Sequence, residues 1–220
     1  MTGVRELLQE KDHVFLDFDG PVCDVFAELP AREVADRLKK LVGPDLPRGV
    51  SASANPLDVL RYAASCGPST AHIVERQLSR LENEAVSLVS PAPGVPELLG
   101  EWAAQGFTVT IVSNNSAEAI RSFLTVHELA EPVRRISART TSDPDRLKPH
   151  PALLDAAVKA LGTSPGQCVM VGDSAADVLA ARTAGVASIA FAPTPAKRKA
   201  LAALAPDALV TDLADLRLAP

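Results

Sequence analysis

His13-Val14-Phe15-Leu16-Asp17-Phe18-Asp19-Gly20 is an apolar run that stops abruptly on two carboxylates and a glycine. Its apolar residues follow one another without polar alternation, which suits a strand buried on both faces, as in parallel sheets. Two later runs end in the same way. Residues 107–112 lead into Ser113-Asn114-Asn115, and Cys168-Val169-Met170-Val171 leads into Gly172-Asp173-Ser174. Further strands are expected at 133–137, 187–191 and, weakly, 208–210. Helical periodicity fills the gaps at 96–105, from Ser116 onward, and at 151–161, 175–184 and 197–204. Strands alternating with helices of about ten residues make βαβ units, so the sequence predicts an α/β fold with a mostly parallel sheet covered on both faces.

Between about 25 and 90 this alternation is interrupted. No strand-like run occurs there, and three helices are expected, at 27–41, 56–64 and 69–89. Gly43-Pro44 and Gly67-Pro68 separate them, and Asn55-Pro56 supplies an N-cap and a first-turn proline. The block reads as a helical insertion at 21–90, dividing a core formed by 1–20 and 91–220.

Composition sets the outer limits. The chain has 220 residues, 47% hydrophobic and 22% charged, with 18 prolines and only 4% aromatics. That length allows one domain with a modest insertion. A formal charge of −5 and a longest basic run of Lys197-Arg198-Lys199 argue against a nucleic-acid partner. Cys23, Cys66 and Cys168 show no CxxC spacing, so neither a disulfide framework nor a zinc site is expected. No run of 18 apolar residues occurs, and the first residues lack the apolar stretch of a signal peptide. The expectation is a cytoplasmic protein without a membrane partner, monomeric or homodimeric.

In an open α/β sheet, ligands bind at the carboxyl ends of the strands. Here that edge collects Asp17, Asp19, Ser113, Asn114 and Asp173, and Lys148 lies just ahead of the helix expected at 151–161. Carboxylates for a hard cation, with a lysine and a hydroxyl for the anion, are what a magnesium–phosphate site requires. An EF-hand reading of the DxDG stretch fails, because Phe15 and Phe26 occupy its first and twelfth positions.

Together these residues resemble the haloacid dehalogenase (HAD) superfamily. Its four motifs occur in order, as Asp17-x-Asp19-Gly20, Ser113, Lys148 in Lys148-Pro149-His150-Pro151, and Gly172-Asp173-x-x-x-Asp177. The resemblance covers nearly the whole chain, since the helical block falls where the family's C1 cap is inserted. Residues 148–191 look most like the phosphoglycolate phosphatase-like branch.

The resemblance implies a Rossmann-like core and a Mg2+-dependent phosphatase acting on a small phosphorylated metabolite. Asp17 is then the nucleophile, forming an aspartyl-phosphate, and Asp19 the general acid and base. Mg2+ falls to Asp17, the backbone carbonyl of Asp19, and Asp173. Ser113, Asn114 and Lys148 bind the phosphoryl oxygens, and Asp177 orients Lys148 or a metal-bound water. Arg48 and Arg61 in the insertion are candidates to meet an anionic substrate tail. A phosphomutase shares the Asp pair, a phosphonatase requires a Schiff-base lysine for which Lys39-Lys40 are available, and a non-catalytic binding protein on this fold is the remaining alternative. One departure is Pro21, where the family commonly has Thr or Val; it fixes φ and removes an amide donor in the flap that also holds Cys23.

Overall fold

The computed structural model describes residues 3–218. A short helix α1 (Val4–Gln9) precedes strand β1 (His13–Leu16). Four helices follow, α2 (Ala31–Val42), α3 (Arg48–Ala52), α4 (Pro56–Cys66) and α5 (Pro68–Val86). The alternating part then runs α6 (Val95–Ala104), β2 (Thr108–Ser116), α7 (Ala117–Val126), β3 (Val133–Arg139), α8 (Ala152–Leu161), β4 (Cys168–Gly172), α9 (Ala175–Ala184), β5 (Ala187–Phe191), α10 (Pro195–Ala202) and β6 (Ala208–Val210).

The six strands form one parallel sheet in the order β3-β2-β1-β4-β5-β6. β1 lies at its centre, with Phe15 opposite Thr110 on one side and Met170 on the other. Both faces are dry. Val14, Leu16, Val109, Ile111, Val169 and Val171 share one apolar cluster with Leu8, Trp102 and Phe123, while Phe15, Val112 and Met170 join Leu154 and Ala180 in another. Successive side chains of a strand point to opposite faces, so on a strand covered on both sides neither set of side chains meets water. That is why β1 reads as an unbroken apolar run.

Several boundaries differ from the sequence reading for local reasons. The helix expected from residue 27 starts at Ala31, where Pro30 stands at the N-cap and serves the start rather than the interior of a helix. The strand expected to end at Val112 continues to Ser116, because pairing with β3 persists through Ser113 opposite Ala138 and Ser116 opposite Arg139, across a register shift. Ser113, Asn114 and Asn115 therefore lie in the bulged end of β2. Ser116 then caps α7, its hydroxyl accepting from the Ala119 amide at 3.2 Å. Helices α1 and α3 are short, at 6 and 5 residues, and have no counterpart in the sequence reading.

Helices α2, α4 and α5 pack on one another through Val34, Leu38, Val59, Leu60, Val74 and Leu78, all buried in the larger cluster. Lys39, at the end of α2, turns its ammonium to Asp36 and to the carbonyls of Ser51 and Ser53, at 2.8, 2.9 and 2.7 Å. It is structural and does not line the cavity described next. All three cysteines are free; Cys23 and Cys168 are buried and Cys66 is exposed. Among the described residues, no helix is long and apolar enough to cross a membrane.

Candidate active site

At the carboxyl ends of β1, β2 and β4 a cavity of about 350 Å3 opens beneath the helical insertion. From the core it is lined by Asp17, Asp19, Ser113, Asn114, Lys148 and Asp173. From the insertion and the segment leading into it, Phe26, Asn55, Pro56, Leu57, Arg61 and Glu82 complete the wall. Six of the seven core positions singled out from the sequence thus share one space. The seventh, Asp177, is buried behind it, against Lys148.

Asp17 follows directly on β1, and its amide extends the ladder by donating to the Val171 carbonyl at 2.9 Å. Its Oδ1 receives the Phe18 amide at 2.7 Å and lies 2.9 Å from the Lys148 ammonium. Both contacts fall on the same oxygen, so Oδ2 keeps a free face. Burial, reinforced by the Asp177 charge and opposed by Lys148, raises the Asp17 carboxyl to about 7. After Phe18 the chain turns, with the Gly20 amide donating to the Cys23 carbonyl at 2.7 Å. Asp19 is brought onto the cavity by this turn, and its Oδ1 accepts from the Val25 amide at 3.0 Å. Burial raises Asp19 to about 6, the Val25 amide working against it.

Two glycines keep the motifs close together. Gly20 has φ +107°, and a Cβ there would stand 2.2 Å from Asp173 Oδ2. At Gly172 a Cβ would stand 2.4 Å from the Asp177 carboxyl carbon. Any side chain at either position would displace one of these carboxylates.

Lys148 is buried, and its three ammonium protons have three acceptors. These are the Val112 carbonyl at 2.7 Å, Asp177 Oδ1 at 2.6 Å and Asp17 Oδ1 at 2.9 Å. Burial works against its charge, yet the two aspartates outweigh it and hold the lysine above its ordinary range. Asp177 is committed on both oxygens, since Oδ2 accepts the amide and hydroxyl of Ser174 at 3.0 and 2.6 Å. Ser174 caps α9, which leaves Asp173 free of the capping role. Asp173 is instead paired with Lys197, at the start of α10, and burial raises its carboxyl against that pairing.

Asn114 departs from the part expected of it. Its side chain does not present its amide to an anion; its Oδ1 accepts from the Lys148 amide at 2.8 Å and its Nδ2 donates to the Lys148 carbonyl at 2.9 Å. Both ends are used in fastening the Lys148 segment to the end of β2. Ser113 donates its hydroxyl to Asn115 Oδ1 at 3.0 Å. Arg61 lines the cavity, held by Asp58 at 2.8 Å, whereas Arg48 is exposed on α3 and does not line it.

Three residues without a role in the sequence reading belong to this site: Asn115, at the noted strand end, and Glu82 line the cavity, and Arg139 pairs with Glu82. Asn115 Nδ2 reaches Glu82 Oε1 at 3.3 Å, and Glu82 pairs with Arg139 at 2.7 Å. Arg139 ends β3 and is fully buried, and Glu82 comes from α5. Glu82 did leave a trace in the sequence: it falls four residues after Leu78 and three before Ala85, on the buried stripe of its helix.

Carboxylate oxygens of Asp17, Asp173 and Asp177 lie within 4.8 Å of one another. An all-carboxylate donor set suits a hard divalent cation such as Mg2+. Asp17 and Asp173 fit that role, since each keeps an oxygen clear of hydrogen bonds to the protein, while Asp177 has none to spare. Asp19 takes no part in the carboxylate cluster, its side chain being turned to Val25.

A family model described as haloacid dehalogenase-like hydrolase matches residues 26–191, more than half of the chain, and the chain belongs to that family. Among curated proteins it is 31% identical over 129 residues to the pyrophosphatase PpaX of Bacillus cereus, covering 59% of each chain. It is 34% identical over 111 residues to the phosphoglycolate phosphatase of Rhodospirillum rubrum, covering 50% of this chain and 45% of that one. The chain therefore spans less than two thirds of the length of either relative. Among solved structures, a predicted phosphoglycolate phosphatase from Haemophilus somnus superposes with a TM-score of 0.68 at 22% identity, over 94% of this chain and 96% of that one. That likeness is one of fold.

Proposed function

We propose that this protein is a Mg2+-dependent phosphatase that hydrolyses a small phosphate monoester through an aspartyl-phosphate. The observation that carries the reading is the meeting of Asp17, Asp19, Ser113, Lys148 and Asp173 around one cavity, with a free oxygen on Asp17. The curated relatives, a pyrophosphatase and a phosphoglycolate phosphatase, support it.

Asp17 Oδ2 attacks phosphorus as the ester P–O bond breaks, and Asp19 gives its proton to the departing alkoxide oxygen. Asp19, now ionised, takes a proton from a water that attacks the phosphoryl group. The acyl-phosphate P–O bond breaks, releasing inorganic phosphate and restoring Asp17. A carboxyl near pH 6 suits both halves of this exchange. Lys148 holds Asp17 Oδ1 and places positive charge beside the phosphoryl oxygens, and the Ser113 hydroxyl turns its single proton from Asn115 Oδ1 to one of them when phosphate binds. Asp17 and Asp173 would hold Mg2+, which when bound supplies charge neutralisation between carboxylates and phosphate.

The substrate is limited by the cavity: a short leaving group fits against Phe26, Pro56 and Leu57, with Arg61 at the insertion side. For the Schiff base of a phosphonatase, Lys148 is committed to three acceptors, Lys39 to three within the insertion, and neither Lys39 nor Lys40 lines the cavity. The test is hydrolysis of p-nitrophenyl phosphate with and without Mg2+, by the wild type and Asp17→Asn, followed by a panel of metabolite phosphate esters ranked by kcat/KM. Asp17→Asn is expected to lower kcat by at least about 10^3-fold. Turnover that survives this substitution refutes the nucleophile assignment.

A further inference from the structure

Arg139 is fully buried, and each of its five guanidinium protons has an acceptor. Nη1 donates to the Asn114 carbonyl at 2.8 Å and to Glu82 Oε1 at 3.1 Å. Nη2 donates to Glu82 Oε2 at 2.7 Å and to Ser79 Oγ at 3.4 Å, and Nε donates to Glu75 Oε1 at 3.4 Å. Glu82 has further work. Its Oε2 accepts the Ser116 amide at 2.9 Å, and its Oε1 accepts Asn115 Nδ2. The carboxylate thereby fixes the Asn115 amide with Oδ1 toward Ser113, where it receives the Ser113 hydroxyl.

Two branches therefore leave the Arg139–Glu82 pair, and each ends on a phosphate-binding group of the proposed mechanism. One runs through the Asn114 main chain, whose side chain grips Lys148. The other runs through Asn115 to the Ser113 hydroxyl. Three of the acceptors, Glu82, Ser79 and Glu75, belong to helix α5 of the insertion, and the guanidinium belongs to the core. Planar bidentate pairing of this kind fixes direction as well as distance.

We propose that Arg139 and Glu82 are positioning residues that fix the Ser113 oxygen, through Asn115, and the Lys148 segment, through Asn114, at the phosphate site, so that helix α5 supports that site. This rests on the phosphatase reading. The insertion is then a strut beneath the phosphate loop as well as a wall of the substrate cavity.

The test uses the double variant Arg139→Met, Glu82→Met in the full chain. Replacing both members of a buried ion pair by apolar residues of similar volume is often neutral or stabilising, so this variant separates positioning from stability. Three quantities are measured with Mg2+ present: the melting temperature, the affinity for inorganic phosphate by titration calorimetry, and kcat/KM on p-nitrophenyl phosphate. A protein that melts close to the wild type, with phosphate affinity and kcat/KM each lowered at least about tenfold, is the expected result. Values within twofold of the wild type in a folded double variant overturn the proposal.

Should the double variant not fold, Arg139→Lys decides by the same readings, because a single ammonium cannot reproduce the planar fork that spans Glu82 and the Asn114 carbonyl. An active wild type with indifferent variants removes this inference alone. A wild type that neither hydrolyses the ester nor binds phosphate removes the phosphatase reading, and this inference with it.

Discussion

Lys148 and Arg139 are both buried, both face two carboxylates, and both reach the end of β2. Around Arg139 the geometry is closed: five protons meet five acceptors, and the bidentate partner Glu82 is itself held by Ser116 and Asn115. Around Lys148 it is left open. One ammonium serves both Asp17 and Asp177, Asp17 borders the cavity, and its carboxyl stands at about 7. The same kinds of charged side chain thus do two jobs. Where every donor and acceptor is matched, the cluster fixes backbone; where a carboxylate oxygen is kept without a partner, the cluster is ready to react.

Substitution at the two cations should separate these jobs. The largest effect is expected at Lys148→Met, where kcat/KM on p-nitrophenyl phosphate should fall by about 10^2–10^3-fold through loss of charge beside the phosphoryl group. A fall under tenfold would show that Lys148 is a structural ion only, without a part in phosphate chemistry. Arg139→Met alone leaves Glu82 buried without its partner, which costs about 3–5 kcal/mol. Thermal melting should register that as a drop of about 6–20 °C. Adding Glu82→Met should restore most of it, and a double variant that melts no higher than the single one breaks the contrast from the other side.

The smallest effect concerns Asp19 and pH. Its folded value of about 6 exceeds its ordinary 3.8, so the folded state holds the proton more tightly than the unfolded chain does. The stability this contributes is fully present below about pH 3.8 and is lost as the pH rises through about 6. Asp19→Asn escapes that loss while its Oδ1 can still accept from Val25. Without divalent metal, the variant should melt on the order of 3–6 °C above the wild type at pH 8, and no higher at pH 4. Equal melting at pH 8 would show that Asp19 carries no such strain.

The Lys148 cluster was legible in the sequence and the Arg139 cluster was not. Asp17, Ser113 and Asp173 stand where apolar strands stop, so strand-end position alone gathers them at one edge of a parallel sheet. Gly20 and Gly172 mark the places where carboxylates crowd the backbone. Arg139 ends a strand that also contains Arg134 and Arg135, both exposed, and nothing local distinguishes the buried arginine from its neighbours. Its partner lies 57 residues away on an inserted helix, and tertiary packing alone brings the two together. Asn114 could be assigned to the edge, but the direction of its amide depends on Lys148, 34 residues later in the chain.

The salt bridge between α5 and the end of β3 also limits how this chain can be taken apart and recombined. Replacing helices α2–α5 by helices that offer no carboxylate in place of Glu75 and Glu82 would leave Arg139 behind, a permanently charged group sealed in a dry position. The smallest exchangeable module is therefore larger than the insertion. It includes the last residue of β3, and a chimera that moves the helices without it should lose stability before any question of substrate preference arises.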